Sequence, residues 1–140
     1  MKKVNFEDLI SVSGMPGLFK MVANRPNGLI VENPVDGKRK FCSLRKHQFT
    51  PLAGVSIYTM TDATPIPDIL KILHQIDQRE ETTVSDKIST DDQRTIFEEA
   101  VPDYDPDRVS SGDIKKVIKW YCFLRETEII DFDSLAEEEE

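Results

Sequence analysis

The sequence contains few of the residues that build metal and catalytic sites. Its 140 residues include two cysteines and two histidines. Cys42 and Cys122 lie in different halves without metal-ligand spacing, and neither His47 nor His74 has a Cys, Asp or Glu at such a spacing. No nucleophile, base and orienting group can be assembled from the pattern. We therefore expect two free thiols, no metal, no cofactor and no catalytic residues.

Long apolar segments are also absent. The densest apolar run, Trp-Tyr-Cys-Phe-Leu at residues 120–124, is far shorter than the roughly 20 residues that a membrane-spanning helix needs. The first eight residues have a basic tip but no apolar core of a signal peptide. We therefore expect a cytoplasmic protein that makes no membrane contact.

What the sequence does contain is a change of charge near residue 80. Residues 1–79 hold 11 Lys/Arg against 7 Asp/Glu, a net charge of +4, whereas residues 80–140 hold 7 against 19, a net charge of −12. The length suits one domain or two small ones. Charge balance bears on partners rather than on fold, so the two parts are expected to meet different surfaces.

The first part, residues 1–79, has the pattern of a small antiparallel sheet followed by a helix. A helical turn is expected at 5–10, and strands at 18–23, 29–33, 38–44 and 55–60, with turns at Asn27-Gly28 and Asp36-Gly37. Thr64-Pro65 then begins a helix with one apolar face. We predict an α+β fold with an SH3-like β-barrel; a flat meander backed by the helix is the alternative. The residues of the apolar helix face are Ile66, Ile69, Leu70, Leu73 and Ile76.

The second part is predicted to be a helical hairpin. Residues 80–89 are interpreted as a linker, 90–136 as the helical module and 137–140 as a disordered acidic tail. Ser89 caps a helix at 90–101, and Ser110 with Asp113 forms a capping box for a helix at 111–126. The apolar stripe of the last helix comprises Ile114, Val117, Ile118, Tyr121 and Leu124.

The acidic loop between these helices resembles the start of a calcium-binding loop. Such a loop needs Gly at its sixth position and Glu at its twelfth, where this sequence has Arg108 and Ile114. The aspartates of residues 103–107 are therefore interpreted as turn and cap residues.

A basic segment is the candidate nucleic-acid site. Cations neutralise phosphates and aromatic rings stack on bases, and here Phe41 and Phe49 lie near the cations. The alternative is that the cations occupy the solvent face of a half-buried strand with Phe41 in the core, which agrees better with the isoelectric point of about 4.8. The cations are Lys38, Arg39, Lys40, Arg45 and Lys46.

The aromatic run at 120–124 is the candidate protein interface. Its side chains point in several directions around one helix, so they cannot all enter a single small core. Either Trp120 or Phe123 packs against the first part, or both belong to a protein-binding or dimer surface.

Several segments together resemble a family of small bacterial proteins known only as a domain of unknown function. They are Ser-Val-Ser-Gly-Met-Pro-Gly-Leu-Phe-Lys at 11–20, Asp-Gly-Lys-Arg at 36–39, Val-Ser-Ile-Tyr-Thr at 55–59, Pro-Asp-Tyr-Asp at 102–105 and Asp-Ile-Lys-Lys-Val-Ile-Lys-Trp-Tyr at 113–121. The resemblance implies an N-terminal β module and a C-terminal helical module. It implies no binding or catalytic residues.

We therefore expect a non-catalytic cytoplasmic interaction protein that binds an unidentified protein partner or itself. The first alternative is nucleic-acid association through the basic strand-loop region 38–47, with the acidic part acting as a mimic that covers this region or tunes its affinity. The second is an enzyme with a site at the domain junction.

Overall fold

The computed structural model describes residues 3–79 and 84–132, and its architecture is mixed α+β. Strands and short 3₁₀ turns come first, and three α-helices follow. The strands are β1 Leu9–Val12, β2 Phe19–Arg25, β3 Gly28–Glu32, β4 Arg39–Ser43, β5 Phe49–Pro51, β6 Ser56–Tyr58 and β7 Ala63–Pro65. The 3₁₀ turns are Phe6–Asp8 and Leu52–Gly54, and the helices are α1 Ile66–Asp77, α2 Thr90–Ala100 and α3 Ser111–Thr127.

Five strands form one antiparallel sheet in the order β4-β3-β2-β1-β5. β1 to β4 follow one another as a meander, and β5 returns to pair with β1, Ser11 facing Thr50. An irregularity between Met21 and Ala23 shifts the register of β2 against β3, and such bulges bend a strand. Within the described residues β4 and β5 are the two edges and do not pair, so the barrel predicted from the sequence is not confirmed.

β6 and β7 form a separate two-stranded hairpin that leads into α1. The sequence predicts one strand at 55–60 and no strand at the position of β7, so the hairpin differs from the expectation.

The strands β1 and β5 also have no counterpart in the sequence-based prediction. β1 follows a 3₁₀ turn capped by Asn5, whose side chain accepts from the N–H of Glu7. Three-residue strands are too short for an alternating pattern to be recognised.

The helices agree closely with the sequence pattern. Every residue of the predicted apolar faces of α1 and α3 is buried. Ser89 caps α2 by accepting from the N–H of Asp92, and Ser110 with Asp113 forms the predicted capping box of α3. These caps satisfy N–H groups that have no partner within the helix.

The main hydrophobic core includes side chains from the parts before and after residues 80–89. Leu9, Leu18 and Leu52 meet the apolar faces of α1, α2 and α3 in one cluster. Val84 is fully buried in this cluster, while residues 80–83 and the predicted tail at 137–140 lie outside the described residues. The predicted boundary at 80–89 stays a prediction, and the two parts that it separates share one interior.

A smaller cluster lies on the other face of the sheet. It consists of Ile10, Val12, Phe19, Val31 and Cys42, with Met15 and Phe49 packed against it. One part of the alternative, Phe41 in the core, is wrong: Cys42 is the buried residue of β4, and Phe41 is 48% exposed. The cations of that alternative are exposed, as it expects. Because alternate strand residues point to opposite faces, burying Cys42 directs Phe41 outward.

The turn between β2 and β3 differs from the expected one in its backbone. Neither Asn27 nor Gly28 has a positive φ. Gly28 is needed instead because β4 comes so close: a Cβ at this position would lie 2.1 Å from the carbonyl oxygen of Cys42 and 2.8 Å from Cζ of Phe41. The glycine therefore serves the packing of β3 on β4.

A partly buried polar cluster joins α1, α3 and the segment at Val84. The Asp77 carboxylate accepts from the Tyr121 hydroxyl (2.7 Å), from the Arg125 guanidinium (3.0 Å) and from the N–H of Val84 (3.1 Å). Arg125 also donates to the carbonyl of Val84 at 2.6 Å. The ring of His74 stacks on Phe132 at 4.5 Å. The cluster holds residue 84 against both helices.

The environment of this cluster shifts three pKa values. Burial alone would raise the pKa of Asp77, but hydrogen bonds from Tyr121, Val84 and Arg125 outweigh it and hold that pKa below its usual value. Burial, and then the bond to Asp77, raise the pKa of Tyr121 far above its usual value. Burial opposes the charge of Arg125, yet its bonds to Asp77 and Glu126 raise its pKa. Tyr121 therefore stays protonated and Asp77 charged, which suits a structural role.

We predict that Asp77→Asn destabilises the protein and removes part of its acid sensitivity. An Asp with a lowered pKa stabilises the fold at pH values above its unfolded pKa of about 3.9, and this contribution is lost as the pH falls through the folded value. The expected loss at pH 7 is about 1–3 kcal/mol. Urea unfolding at pH 7 and pH 3.5 measures it. An equal loss for wild type and variant on acidification would contradict the assignment.

A second prediction concerns Gly28→Ala. The added methyl group must displace the backbone of β4, so we expect a loss of about 1–3 kcal/mol, as for other overpacked sites. Gly54→Ala is the matched control, because a Cβ at Gly54 meets nothing within 4 Å. Thermal unfolding of both variants checks this, and equal midpoints would show that β3 and β4 are not packed so closely.

Candidate functional site

A cleft of about 200 Å³ opens where the sheet, the hairpin and α3 meet. The edge strand β5 contributes Thr50, and β6 with the residue before it forms one wall. The first three turns of α3 and the loop before that helix form the opposite wall. The lining residues are Thr50, Val55, Ser56, Ile57, Tyr58, Arg108, Val109, Asp113, Lys116, Val117 and Trp120.

The floor of the cleft is apolar and rigid. Ile57, Val109, Val117 and Trp120 all belong to the main core, and each turns a small remaining surface toward the cleft. Trp120 is only 7% exposed. Because these side chains are fixed by packing on their other sides, the floor is formed before any ligand arrives.

The backbone of β6 is open on one side at Ser56, which lines the cleft. The N–H of Thr59 donates to the carbonyl of Asp62, and the N–H of Ile66 donates to the carbonyl of Val55. In an antiparallel pair only every second residue forms backbone hydrogen bonds with the neighbouring strand, so these two bonds fix which residues of β6 bond to β7. The polar backbone groups of Ser56 and Tyr58 therefore point to the opposite side. There the Tyr58 carbonyl accepts from the N–H of Asp105. The N–H of Met60 also donates to the carbonyl of Asp103, so residues 103–105 already pair with the Tyr58 end of β6, and the part of this side that remains open lies at Ser56.

The loop at 103–109 owes its shape to the aspartates that the sequence offers as turn residues. The side chain of Asp105 accepts a hydrogen bond from the N–H of Asp107. The backbone carbonyl of Asp105 accepts from the N–H groups of Arg108 and Val109. Tyr104 anchors the loop by packing edge-on against Phe97 at 5.2 Å. These bonds confirm the turn interpretation of the acidic loop, and they hold Arg108 beside the cleft.

The rim of the cleft carries an aromatic ring and two cations. The Arg108 guanidinium lies over the ring of Tyr58, 5.0 Å from its centre, and 3.6 Å from Asp105. Lys116 is exposed on α3. Asp113 is the acidic residue of the lining, and its carboxylate already accepts from the N–H of Ser110. Arg108 is therefore paired with Asp105, and Lys116 is the cation of the cleft lining for which the described residues show no ion pair.

A second, shallower hollow continues from the cleft past Tyr58. It has a volume of about 310 Å³ and is lined by residues 58–63 with Asp105 and Arg108. Tyr58 is 51% exposed and Met60 is 67% exposed, so two large side chains present apolar surface to solvent at this end. Sequence reasoning missed Ser56, Tyr58, Met60 and Arg108, because only the spatial pairing of residues 58–60 with 103–105 brings them together.

The structure divides the predicted basic site into two groups. Lys38, Arg39 and Lys40 lie at the start of β4 and line a groove of about 330 Å³ with Met15 and Phe19. Arg45 and Lys46 lie in the turn after β4, at its other end. All five side chains are exposed, and Arg39 pairs with Glu32 at 3.0 Å.

The two candidate interface aromatics both contact the body of the protein. Phe123 packs over Gly17, where a Cβ would lie 2.7 Å from Cε1 of the ring. Gly17 has a φ of +80°, a conformation that favours glycine. Trp120 is buried except at the cleft floor. In this way α3 touches the β part of the protein, as one of the two interpretations of the aromatic run expects.

Within residues 3–79 and 84–132, no group of three or more His, Cys, Asp or Glu is placed to hold a metal ion. The polar groups around Asp77 form hydrogen bonds with one another and do not line the cleft. No helix among the same residues is both long enough and apolar enough to cross a membrane.

Two family models match the chain. A domain of unknown function, DUF5606, matches residues 6–52, and a second, DUF6852, matches residues 55–124. They meet at the 3₁₀ turn before β6, so α1 belongs to the second unit, whereas the sequence grouped it with the strands. The layout of an N-terminal β part and a C-terminal helical part, implied by the resemblance, is confirmed.

One solved structure is similar over nearly the whole length. It is the solution NMR structure of a Bacteroides vulgatus protein from a structural genomics programme, with 32% identity, a TM-score of 0.75 and 91% of each chain covered. No curated protein matches the chain. The cleft lies where the two matched segments join, with Thr50 on one side and α3 on the other. The chain belongs to the DUF6852 family and carries a DUF5606 domain before that unit.

Proposed function

We propose that this protein is a non-catalytic interaction protein that binds an extended, acidic peptide segment of a partner protein in the cleft between β6 and α3. The observation that carries the proposal is the open backbone of β6 at Ser56 beside a preformed apolar floor. A peptide that adds to a strand edge gains main-chain hydrogen bonds, and pockets for its alternate side chains provide selectivity.

The size of the cleft supports a short, reversible contact. A volume of about 200 Å³ receives one or two side chains of a peptide and not a folded domain. The hollow past Tyr58 extends the track in the same direction. Interfaces of this kind are small and are typical of transient regulatory contacts.

The charge of the rim supports an acidic peptide. Lys116 flanks the opening and has no ion pair among the described residues, whereas Arg108 is paired with Asp105. A carboxylate of the peptide would pair with Lys116, and charge complementarity of this kind mainly increases association rate and selectivity.

Two finer features belong to the same proposal. The return of β5 to β1 and the bulge in β2 support an SH3-like curvature of the sheet. A cytoplasmic location is supported by the two free, buried thiols, Cys42 and Cys122.

Selection from a random octapeptide display library on the full chain tests the proposal. We expect enriched peptides that combine apolar residues at alternate positions with an acidic residue. Their binding should shift the emission of Trp120, the only tryptophan of the chain, because it lies in the cleft floor. Failure to enrich any peptide in replicate selections, or enrichment of basic peptides, would contradict the proposal.

Ser56→Pro tests the strand-addition geometry. Proline removes the N–H that faces the cleft and leaves the ladder with β7 intact, since proline is tolerated on strand edges. We expect an unchanged unfolding midpoint and at least a tenfold loss of peptide affinity, with Ser56→Ala as the control that keeps the N–H. Equal affinity of the two variants would exclude strand addition.

Lys116→Glu tests the charge preference. We expect at least a fivefold loss of affinity for the selected acidic peptides. Lys115→Glu makes the same change at an exposed position of α3 outside the cleft and should stay within twofold of wild type. Light scattering of the same variants detects self-association, and a dimer that Ser56→Pro dissociates would assign the cleft to a second copy instead.

A further inference from the structure

The groove of about 330 Å³ lies on the sheet face that carries the smaller hydrophobic cluster. Val31 of β3 is paired with Lys40 of β4, and the N–H of Asn33 donates to the carbonyl of Lys38 at 2.8 Å. Side chains of directly paired residues point to the same face of a sheet, and alternate residues of a strand share a face. Lys38 and Lys40 therefore extend on the same side as Val31, opposite to the side that carries Phe41.

The floor of this groove is apolar and belongs to the smaller cluster. Phe19 and Val31 are both buried there, so packing on their other sides fixes their positions. Met15, from the loop between β1 and β2, packs against the same cluster with its sulfur 3.7 Å from Sγ of Cys42. A methionine side chain is flexible and polarizable, so it adapts to apolar ligands of irregular shape. The groove thus combines a rigid floor with one adaptable side chain.

The unpaired charge at the groove belongs to two lysines. Among the residues that the structure describes, no ion pair is found for Lys38 or Lys40. Arg39 also lines the groove but is paired with Glu32 at 3.0 Å. The Asp36 carboxylate accepts from the backbone N–H of Lys38 at 2.8 Å and so belongs to the turn before β4. Because alternate residues of a strand are about 7 Å apart, the two ammonium groups can contact one anionic head group.

We propose that this groove binds a small amphipathic anion, a molecule whose apolar chain or ring ends in a carboxylate or a phosphate. A cavity of roughly 150 Å³ holds one benzene molecule, so a groove of about 330 Å³ receives an apolar body of about twice that size. The apolar body lies on Met15, Phe19 and Val31, and the head group pairs with Lys38 and Lys40, because an ammonium group pairs with either anion as a point charge.

The charge pattern of the groove favours a small molecule over an acidic peptide. Its apolar floor adjoins one pair of cations rather than a row of them, so one head group satisfies the charge while the floor takes the rest of the ligand. The residues that line the groove differ from those that line the cleft at β6. Either proposal can therefore fail without the other.

Titration of the full chain with hexanoate, octanoate and octyl phosphate, followed by the methyl NMR signals of Met15 and Val31, tests this inference. Affinity should rise about tenfold from hexanoate to octanoate, because each buried CH₂ group contributes roughly threefold. Octanol lacks the charge and inorganic phosphate lacks the apolar body, so we expect both to bind at least about fivefold more weakly than octyl phosphate. The tighter of octanoate and octyl phosphate identifies which head group the lysines prefer.

Two sets of variants separate the head-group contact from the apolar contact. Lys38→Gln with Lys40→Gln should lower the affinity for octanoate about fivefold and leave that for octanol unchanged. Lys115→Gln with Lys119→Gln makes the same charge change at exposed positions of α3 and serves as the control. Met15→Ala should weaken the binding of both ligands, whereas Met15→Leu, which keeps the apolar surface, should bind them as wild type does.

Four results would each overturn the inference. The methyl signals of Met15 and Val31 could stay unchanged at millimolar octanoate, or hexanoate and octanoate could bind equally, which would show that no apolar chain is buried. The α3 control could lose as much affinity as the β4 variant, which would show attraction by charge alone. Tetraglutamate could bind as tightly as octanoate, which would assign the groove to acidic peptides. Unfolding midpoints of all variants, measured alongside, show that each loss comes from the groove and not from the fold.

Discussion

The burial of one face of α1 is the interaction on which the rest of the structure depends. Five side chains of that helix are almost completely removed from water, each contributing about 1.5–3 kcal/mol before the entropy of ordering is counted. On one side they meet Leu9, Leu18 and Leu52 of the β part, and on the other the apolar faces of α2 and α3. A short sheet and a helix pair, each too small to bury its own apolar surface, are thereby completed by the same helix.

Further contacts join the two ends of the chain around this core. The N–H of Val4 donates to the carbonyl of Ile129 at 2.6 Å, and Lys3 donates to the carbonyls of Glu128 and Ile130. Glu128 ends α3 in the left-handed conformation, and Lys3 lies beside the carbonyl end of that helix, where a cation is favourable. Phe123 over Gly17 adds a contact from the middle of α3. The cleft at β6 results from the packing of the two family units. Both units contribute residues to its walls, so the shape of the cleft depends on how they pack.

The sequence predicted the parts of the fold that follow from local rules. The faces of α1 and α3, the cap at Ser89 and the capping box at Ser110 each depend on residues within a few positions of one another, and all four are confirmed. The errors concern pairing at a distance. β1, β5 and β7 have three or four residues each and exist because partners elsewhere in the chain complete them. One interpretation places Phe41 inward, because the alternating pattern of this strand is compatible with burial of either of its two faces. The packing of Cys42 in the smaller cluster determines which face is buried. The cleft was not predictable for the same reason, since Ser56 and Trp120 are 64 positions apart.

The two family units are expected to fold as a single cooperative body around α1. Urea unfolding followed by amide NMR signals tests this most directly, with Val31 reporting the first unit and Phe97 the second. We expect one transition with the same midpoint for both signals. Separate midpoints, with the signal of Val31 lost while that of Phe97 persists, would contradict it.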